Sequence, residues 1–153
     1  MDSAEFARRY SAGHRNFAGA DLRGADLSEA NWHGISMFEA DLRQADLHGA
    51  SLSGISLSRA NLAGANLSGA YLFKTNLSGA DLRRANLRQA NLSKADLTKA
   101  KLRGAQLAGA DLSEAFLFTA DAREAILRQA NLRGAGLGCV FLSDANLQGA
   151  VLD

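Results

Sequence analysis

From Ala80 to Gly109 the chain reads A-D-L-R-R, A-N-L-R-Q, A-N-L-S-K, A-D-L-T-K, A-K-L-R-G, A-Q-L-A-G, a run of five-residue units in unbroken register. Counting outward from this run, the central apolar position falls at Phe17, Leu22, Leu27, Trp32, Met37, Leu42 and every fifth residue to Leu152, which makes 28 units with no insertion or deletion. Leu fills 24 of the central positions, and Ala fills 23 of the positions two residues before them. An α-helix cannot use this pattern, because each step of five would carry the leucine about 140° around the axis and smear the leucines over its whole circumference. A plain strand fails as well, since its faces alternate with period two. Within one unit, however, Ala and Leu two residues apart lie on one face of a short extended segment. The next such pair begins three residues later, so the chain must turn a corner at every unit. Of the 15 glycines, 12 (Gly19, Gly24, Gly34, Gly49 and their equivalents) sit at that corner, two residues after the central position. A type II-like turn there wants a positive φ.

The exceptions to the pattern set the number of corners per coil. The position two before the central residue departs from Ala at Arg15, Ile35, Ile55, Thr75 and Val140, and Ile35, Ile55 and Thr75 are spaced by 20. The outward position after the central residue holds Arg23, Arg43, Arg83, Arg103 and Arg123 in one 20-residue column, broken only by Ala63. Both columns favour four units per coil and a square cross-section. The expected fold is an all-β, right-handed quadrilateral parallel β-helix, a solenoid of about seven four-sided coils and roughly 34 Å in length.

The A-(D/N)-L-x-x run resembles the pentapeptide-repeat family, and the resemblance covers about nine tenths of the chain. It implies a right-handed quadrilateral β-helix. It also implies a set of functional expectations, since some members imitate duplex DNA in shape and charge, bind DNA gyrase and protect it from inhibitors. That role needs an acidic rod, and the known mimics tend to carry projecting loops. This chain has a formal net charge of +1 and no insertion, so the resemblance points away from a gyrase modulator and leaves it as the alternative.

Residues 1–14 stand outside the repeat. Asp2-Ser3-Ala4-Glu5 reads as a capping box, Phe6 and Tyr10 share one helical face, and Gly13 suits the stop. The expected organisation is a short capping helix in residues 1–14, laid over the first coil, followed by a single β-helix domain in residues 15–153. Phe17, Trp32, Met37, Ile35 and Ile55 are larger than the consensus and suggest a wider coil at this end. His33 and His48 fall on different faces and read as solvated surface histidines.

No apolar run approaches the ~20 residues of a membrane span. The single Cys139 excludes an internal disulfide framework, and Met1–Tyr10 lacks the basic start and apolar stretch of a secretion signal. The expectation is a cytoplasmic protein. No catalytic, cofactor-binding or metal-ligating set emerges: the serines occupy outward positions without a paired histidine, and the glycines are corners rather than a phosphate-binding loop. Asp and Asn before the central residue suit backbone hydrogen bonding near the corners better than acid–base work. The expected protein is therefore not an enzyme, has no cofactor or small-molecule substrate, and does not engage membranes.

Charge is uneven along the chain. Between Lys74 and Arg103 eight basic residues face only Asp81 and Asp96, whereas residues 17–73 and residues 104–153 each hold three basic and six acidic residues. The densest part of this belt, Arg83, Arg84, Lys101 and Arg103, is the candidate partner-binding set. Asp21, Asp41, Asp81 and Asp121, two residues before their arginines, are expected to pair with the Arg column. Nucleic acid is not the expected partner, because the total charge is small. Outward aromatics gather towards the C-terminal end. Phe116 and Phe118 are expected to pack over Gly136 and Gly138 or to form an apolar patch. Phe116, Phe118, Phe141, Val151 and Leu152 are the candidate self-association residues. The last unit has no cap of its own, and family members dimerise through this end, so a homodimer through the C-terminal coil is expected. The functional expectation is a rigid scaffold for a protein partner that the sequence does not name.

Overall fold

The computed structural model describes all 153 residues. It contains one helix, α1 (Ser3–Ser11), and then a continuous ladder of parallel bridges in which residue n pairs with residue n + 20, from Asn16↔Ser36 to Asn131↔Val151. Four five-residue units therefore make each coil, as the Ile35–Ile55–Thr75 spacing requires. The bridged residue is the one before each central leucine. Only this residue of each side pairs as a bridge, because two of the five residues are spent on the corner. The sides are thus single-residue bridges rather than extended strands, and the β-character lies in the stacking.

The backbone accounting follows from this register. The central N–H donates to the next coil, as in Leu62 N to the Asp81 carbonyl at 2.7 Å, while the preceding residue donates to the coil before, as in Asn61 N to Ala40 O at 2.9 Å. Nearly every corner closes with a bond from the first N–H of the next unit to the central carbonyl, as in Ala65 N to Leu62 O at 3.0 Å. The corner residue has positive φ whether or not it is glycine. Fifteen non-glycine residues, among them Gln44, Arg84 and Thr119, adopt φ between 52° and 60° there. Glycine is the preferred corner residue but not a required one. A long side chain at such a corner leans towards the coil above, where glycine leaves room: Gln44 lies over Gly64, and Arg84 lies over Gly104. The Asp or Asn before each leucine accepts the N–H two residues on, as in Asp41 Oδ1 from Arg43 N at 3.2 Å. These are the corner hydrogen bonds expected for that position.

The interior is a stack of leucines and alanines, almost all wholly buried between Leu42 and Ala115. Thr75 is the one buried polar side chain, and its hydroxyl donates to Leu52 O at 2.7 Å. The first coil is closed by α1. Asp2 caps the helix by accepting Glu5 N at 2.8 Å, but Glu5 pairs with Arg9 instead of reaching back, so only half of the expected capping box forms. Phe6 is fully buried, with its ring 4.3 Å from Phe17 and 4.8 Å from Trp32 (centroid to centroid), and Tyr10 lies 5.1 Å from Trp32. The large residues of the first coil are therefore the lid's contact surface. At the other end the interior residues Leu137, Leu142 and Leu147 are only half-buried and Leu152 is exposed. The N–H groups of Leu142 and Leu147 have no acceptor, whereas Ala122 N and Leu127 N, one coil earlier, bond at 2.9 and 2.8 Å.

Near that end an apolar cavity of ≈ 40 Å³ lies against Ala122, Leu102, Leu127 and Leu142. Ala122 is the one central position without a large side chain, and the stack does not close over it. Ala122→Leu is expected to raise stability by about 1 kcal/mol, at about 24 cal/mol per Å³ of cavity filled. A rise in the denaturation midpoint at unchanged slope is the measurement that checks it.

Candidate functional site

The four sides of the rod can be followed by their central residues. The first carries Phe17 to Leu137, the second Leu22 to Leu142, the third Leu27 to Leu147 and the fourth Trp32 to Leu152. The structure places Arg83, Arg84, Lys101 and Arg103 together on the second side and its following corner. Within this side most cations are matched by an acid in the same unit. Asp21, Asp41, Asp81 and Asp121 each hold the arginine two residues on through its Nε and Nη2, with Nη2–Oδ2 distances of 2.6, 2.6, 2.5 and 2.7 Å. The expected Asp–Arg pairs are all present.

These pairs shift the acids. Burial alone would raise the Asp81 carboxyl, but the side-chain and backbone hydrogen bonds from Arg83 bring it below its ordinary value. At Asp121 and Asp41 the arginine hydrogen bond is the largest influence, and both are lowered. The pairs are therefore intact at neutral pH. A depressed carboxyl contributes stability above its ordinary value near 4, and that contribution disappears as the pH falls through the folded-state value.

Two coils break the pattern. In the coil of Asn61, Ala63 and Gly64, both members of the Asp–Arg pair are missing. In the coil of Lys101, the acid is replaced by a base, so Arg103 turns to Glu124 of the following coil, Nη2–Oε1 2.6 Å. The Arg84 guanidinium makes no ion pair or hydrogen bond, and neither does the Lys101 ammonium, although Lys101 stands in the ladder between Asp81 and Asp121. The outcome is two cations without a direct ion pair, Arg84 and Lys101, beside two immobilised guanidiniums. Along the same corner runs a surface groove of ≈ 960 Å³, walled by Arg23, Arg43, Arg83 and Arg103 and opening at Ala63 and Gly64.

The candidate self-association residues are spread around the open end. Phe116 and Phe118 lie on the first side, stacked with centroids 6.3 Å apart. The Phe118 ring covers Gly136 and Gly138 so closely that a Cβ on either would lie within 2.9 Å of it. Packing over glycine is the arrangement found, yet Phe116 and Phe118 remain 48% and 44% exposed. Phe141 is on the second side, and Val151 and Leu152 are on the fourth. They surround the end without forming one patch.

A feature that sequence reasoning missed is His48. It is a surface histidine, as expected, but a paired one: Nδ1 lies 3.0 Å from Asp46 Oδ1, and Nε2 lies 3.3 Å from Glu29 Oε1. The hydrogen bond to Asp46 raises its pKa above the ordinary value, with Glu29 adding to the effect. Its contribution to stability is complete below about pH 6.5 and declines as the pH rises through the raised value. Following the His48 ring signals by NMR against pH should place the midpoint above 6.5, and Glu29→Gln should lower it. No group of three His, Cys, Asp or Glu side chains converges to hold a metal ion, and no helix is long and apolar enough to cross a membrane.

Among curated protein sequences none matches this chain. Among solved structures, a pentapeptide repeat protein, Rfr23, from the cyanobacterium Cyanothece 51142 is 28% identical over 98% of this chain and 99% of its own, with a TM-score of 0.63. HetL from the cyanobacterium Nostoc sp. strain PCC 7120, a pentapeptide repeat protein involved in heterocyst differentiation regulation, is 33% identical over 99% of this chain and 97% of its own, with a TM-score of 0.47. QnrB1, a plasmid-mediated fluoroquinolone resistance protein, is 22% identical over 90% of this chain and 79% of its own, with a TM-score of 0.45. The family model for pentapeptide repeats (8 copies) matches residues 16–54, 40–79, 50–89, 80–117, 90–129 and 125–153. With that match running nearly the whole length of a ladder built on a 20-residue register, the chain belongs to the pentapeptide-repeat family.

Proposed function

We propose that this protein is a rigid, non-enzymatic scaffold, a rod of about seven coils that docks a protein partner on Arg83, Arg84, Lys101 and Arg103. The observation that carries this reading is the charge imbalance at one place on an otherwise matched side. Every other Asp–Arg unit neutralises itself, whereas Lys101 replaces an acid and Arg84 has no partner. Arg83 and Arg103 beside them, already held by Asp81 and Glu124, lose little freedom on binding. A photoreactive residue placed at Lys101 should cross-link a specific protein in cells, and one placed at Arg133 on the opposite side should not. Arg84→Glu should abolish the product. Equal labelling from both sides would overturn the reading.

The same reading includes a homodimer through the open end, where half-buried leucines and unpaired N–H groups are exposed together. An uncovered ladder edge of this kind is a site for pairing. Sedimentation should show a dimer at micromolar concentration, and Leu147→Asp should return it to monomer. A wild-type monomer well above micromolar concentration would remove the dimer. Gyrase supercoiling, with or without a quinolone, is expected to be unaffected by a large excess of the protein. Inhibition or protection would replace the scaffold with a DNA mimic.

A further inference from the structure

We propose that the groove along the corner of the second side is a binding track for a short, extended, acidic peptide segment of the partner, centred on Ala63 and Gly64. The proposal rests on the scaffold reading and names the chemistry of what is docked.

Three features of the groove argue for this occupant. First, its donors are prearranged. Each Asp engages only Nε and Nη2 of its arginine, so the Nη1 amino groups of Arg43 and Arg83 are held in place with their hydrogens unspent. A guanidinium that is already fixed can bind a second carboxylate with little further ordering. Second, the wall has a gap. Arg43 and Arg83 are two coils apart, about 10 Å, and Ala63 between them leaves space for a side chain to enter. Over Gly64 stands the Gln44 amide, which bonds to nothing and offers both a donor and an acceptor suited to a peptide backbone. Third, the run of guanidiniums is finite. Glu124 lies at its end and Asp144 follows one coil later in the same column, so a long polyanion would be carried onto acids.

Single-stranded nucleic acid is the competing occupant, and the groove lacks what it needs. Its lining has no aromatic side chain on which a base could stack, and Ala63 is its only apolar residue. Stacking on aromatics contributes much of such binding. A segment of a few acidic residues, with its backbone read by Gln44 and its carboxylates by Arg43, Arg83 and Arg84, fits the length, the sign and the lining.

The test uses the full chain with fluorescein-labelled octaglutamate, octaglutamine and an eight-nucleotide oligothymidylate, followed by anisotropy at 50 and 200 mM salt. Octaglutamate should bind, weaken at the higher salt and exceed both controls. Arg84→Ala should weaken it about threefold to fivefold, as expected for the loss of one exposed charge pair. Ala63→Arg is the decisive variant. It adds a cation, so a diffuse electrostatic surface would bind more tightly, whereas a track with a required gap binds more weakly. Circular dichroism confirms that each variant keeps its fold. No octaglutamate binding at 50 mM salt, equal binding of oligothymidylate, or tighter binding by Ala63→Arg would each overturn the proposal. If octaglutamate fails while the Lys101 cross-link persists, the peptide track falls and the scaffold stands.

Discussion

Phe6→Ala is expected to destabilise the protein by about 3–5 kcal/mol, the range for deleting a wholly buried aromatic side chain. Phe6 is the only residue of α1 with no exposure, and its ring touches both Phe17 and Trp32. Nothing else joins the helix to the interior as closely: Tyr10 is partly exposed, and its hydroxyl accepts His33 N at 3.1 Å as a secondary tie. Removal of the Phe6 ring leaves a void over the first coil and uncovers Trp32, whose Nε1 donates to Leu27 O at 3.0 Å. The loss should appear as an early unfolding transition with increased tryptophan exposure, because Trp32 is the only tryptophan in the chain. A Phe6→Leu variant, which keeps most of the volume, should recover more than half of the loss. Unchanged tryptophan fluorescence through the transition would show that the helix does not close the coil.

The second large effect uses the chain's own repetition. Leu82 and Leu142 occupy the same position in the unit and the same side of the rod, but Leu82 is fully buried and Leu142 is half-buried. Leu82→Ala should cost about 2–5 kcal/mol, since coils above and below hold the surrounding leucines and prevent collapse into the void. Below the concentration at which the chain dimerises, Leu142→Ala should cost about 1 kcal/mol or less, because much of that side chain meets solvent in the single chain. Measured by denaturant midpoint on otherwise identical chains, the two variants separate position from chemistry. At concentrations where the dimer forms the two losses should draw closer, because a second copy covers the open end.

What was legible from the sequence follows from how local each feature is. The unit, the corner and the inward pair of Ala and Leu lie within five residues, so periodicity alone exposed them. The Asp–Arg pairs were legible for the same reason, being two residues apart. Phe118 over Gly136 and Gly138 needed only the assumption of a 20-residue coil. The features that were missed cross between coils at other offsets. Glu29 reaches His48 from 19 residues before it, and Glu124 meets Arg103 from 21 residues after it. Neither offset is a multiple of five, because the partners sit at different positions in their units, so column counting cannot find them. The cavity at Ala122 had a signal, the one small residue at a central position, whose meaning depends on whether the neighbouring coils relax around it. The non-glycine corners had none: the backbone rather than the residue type dictates φ there.

Because each coil touches only the coil before and the coil after it, the molecule has a direction. One end is held shut by a ring-to-ring contact, while the other presents leucine amides with nothing to bond. In the single chain, with that end uncovered, opening should therefore run as a spring unwinds, from the end without a lid inward, one coil at a time. Amide hydrogens should record that order below the dimerising concentration, with Leu142 and Leu147 exchanging within the dead time, Leu102 more slowly and Leu62 slowest of these. A load applied to the C-terminus should peel the rod in steps of 20 residues. The square ladder is thus graded along its length as well as rigid, and a partner docked at Lys101 would sit near the middle of that gradient, where its grip would stop the unwinding from passing.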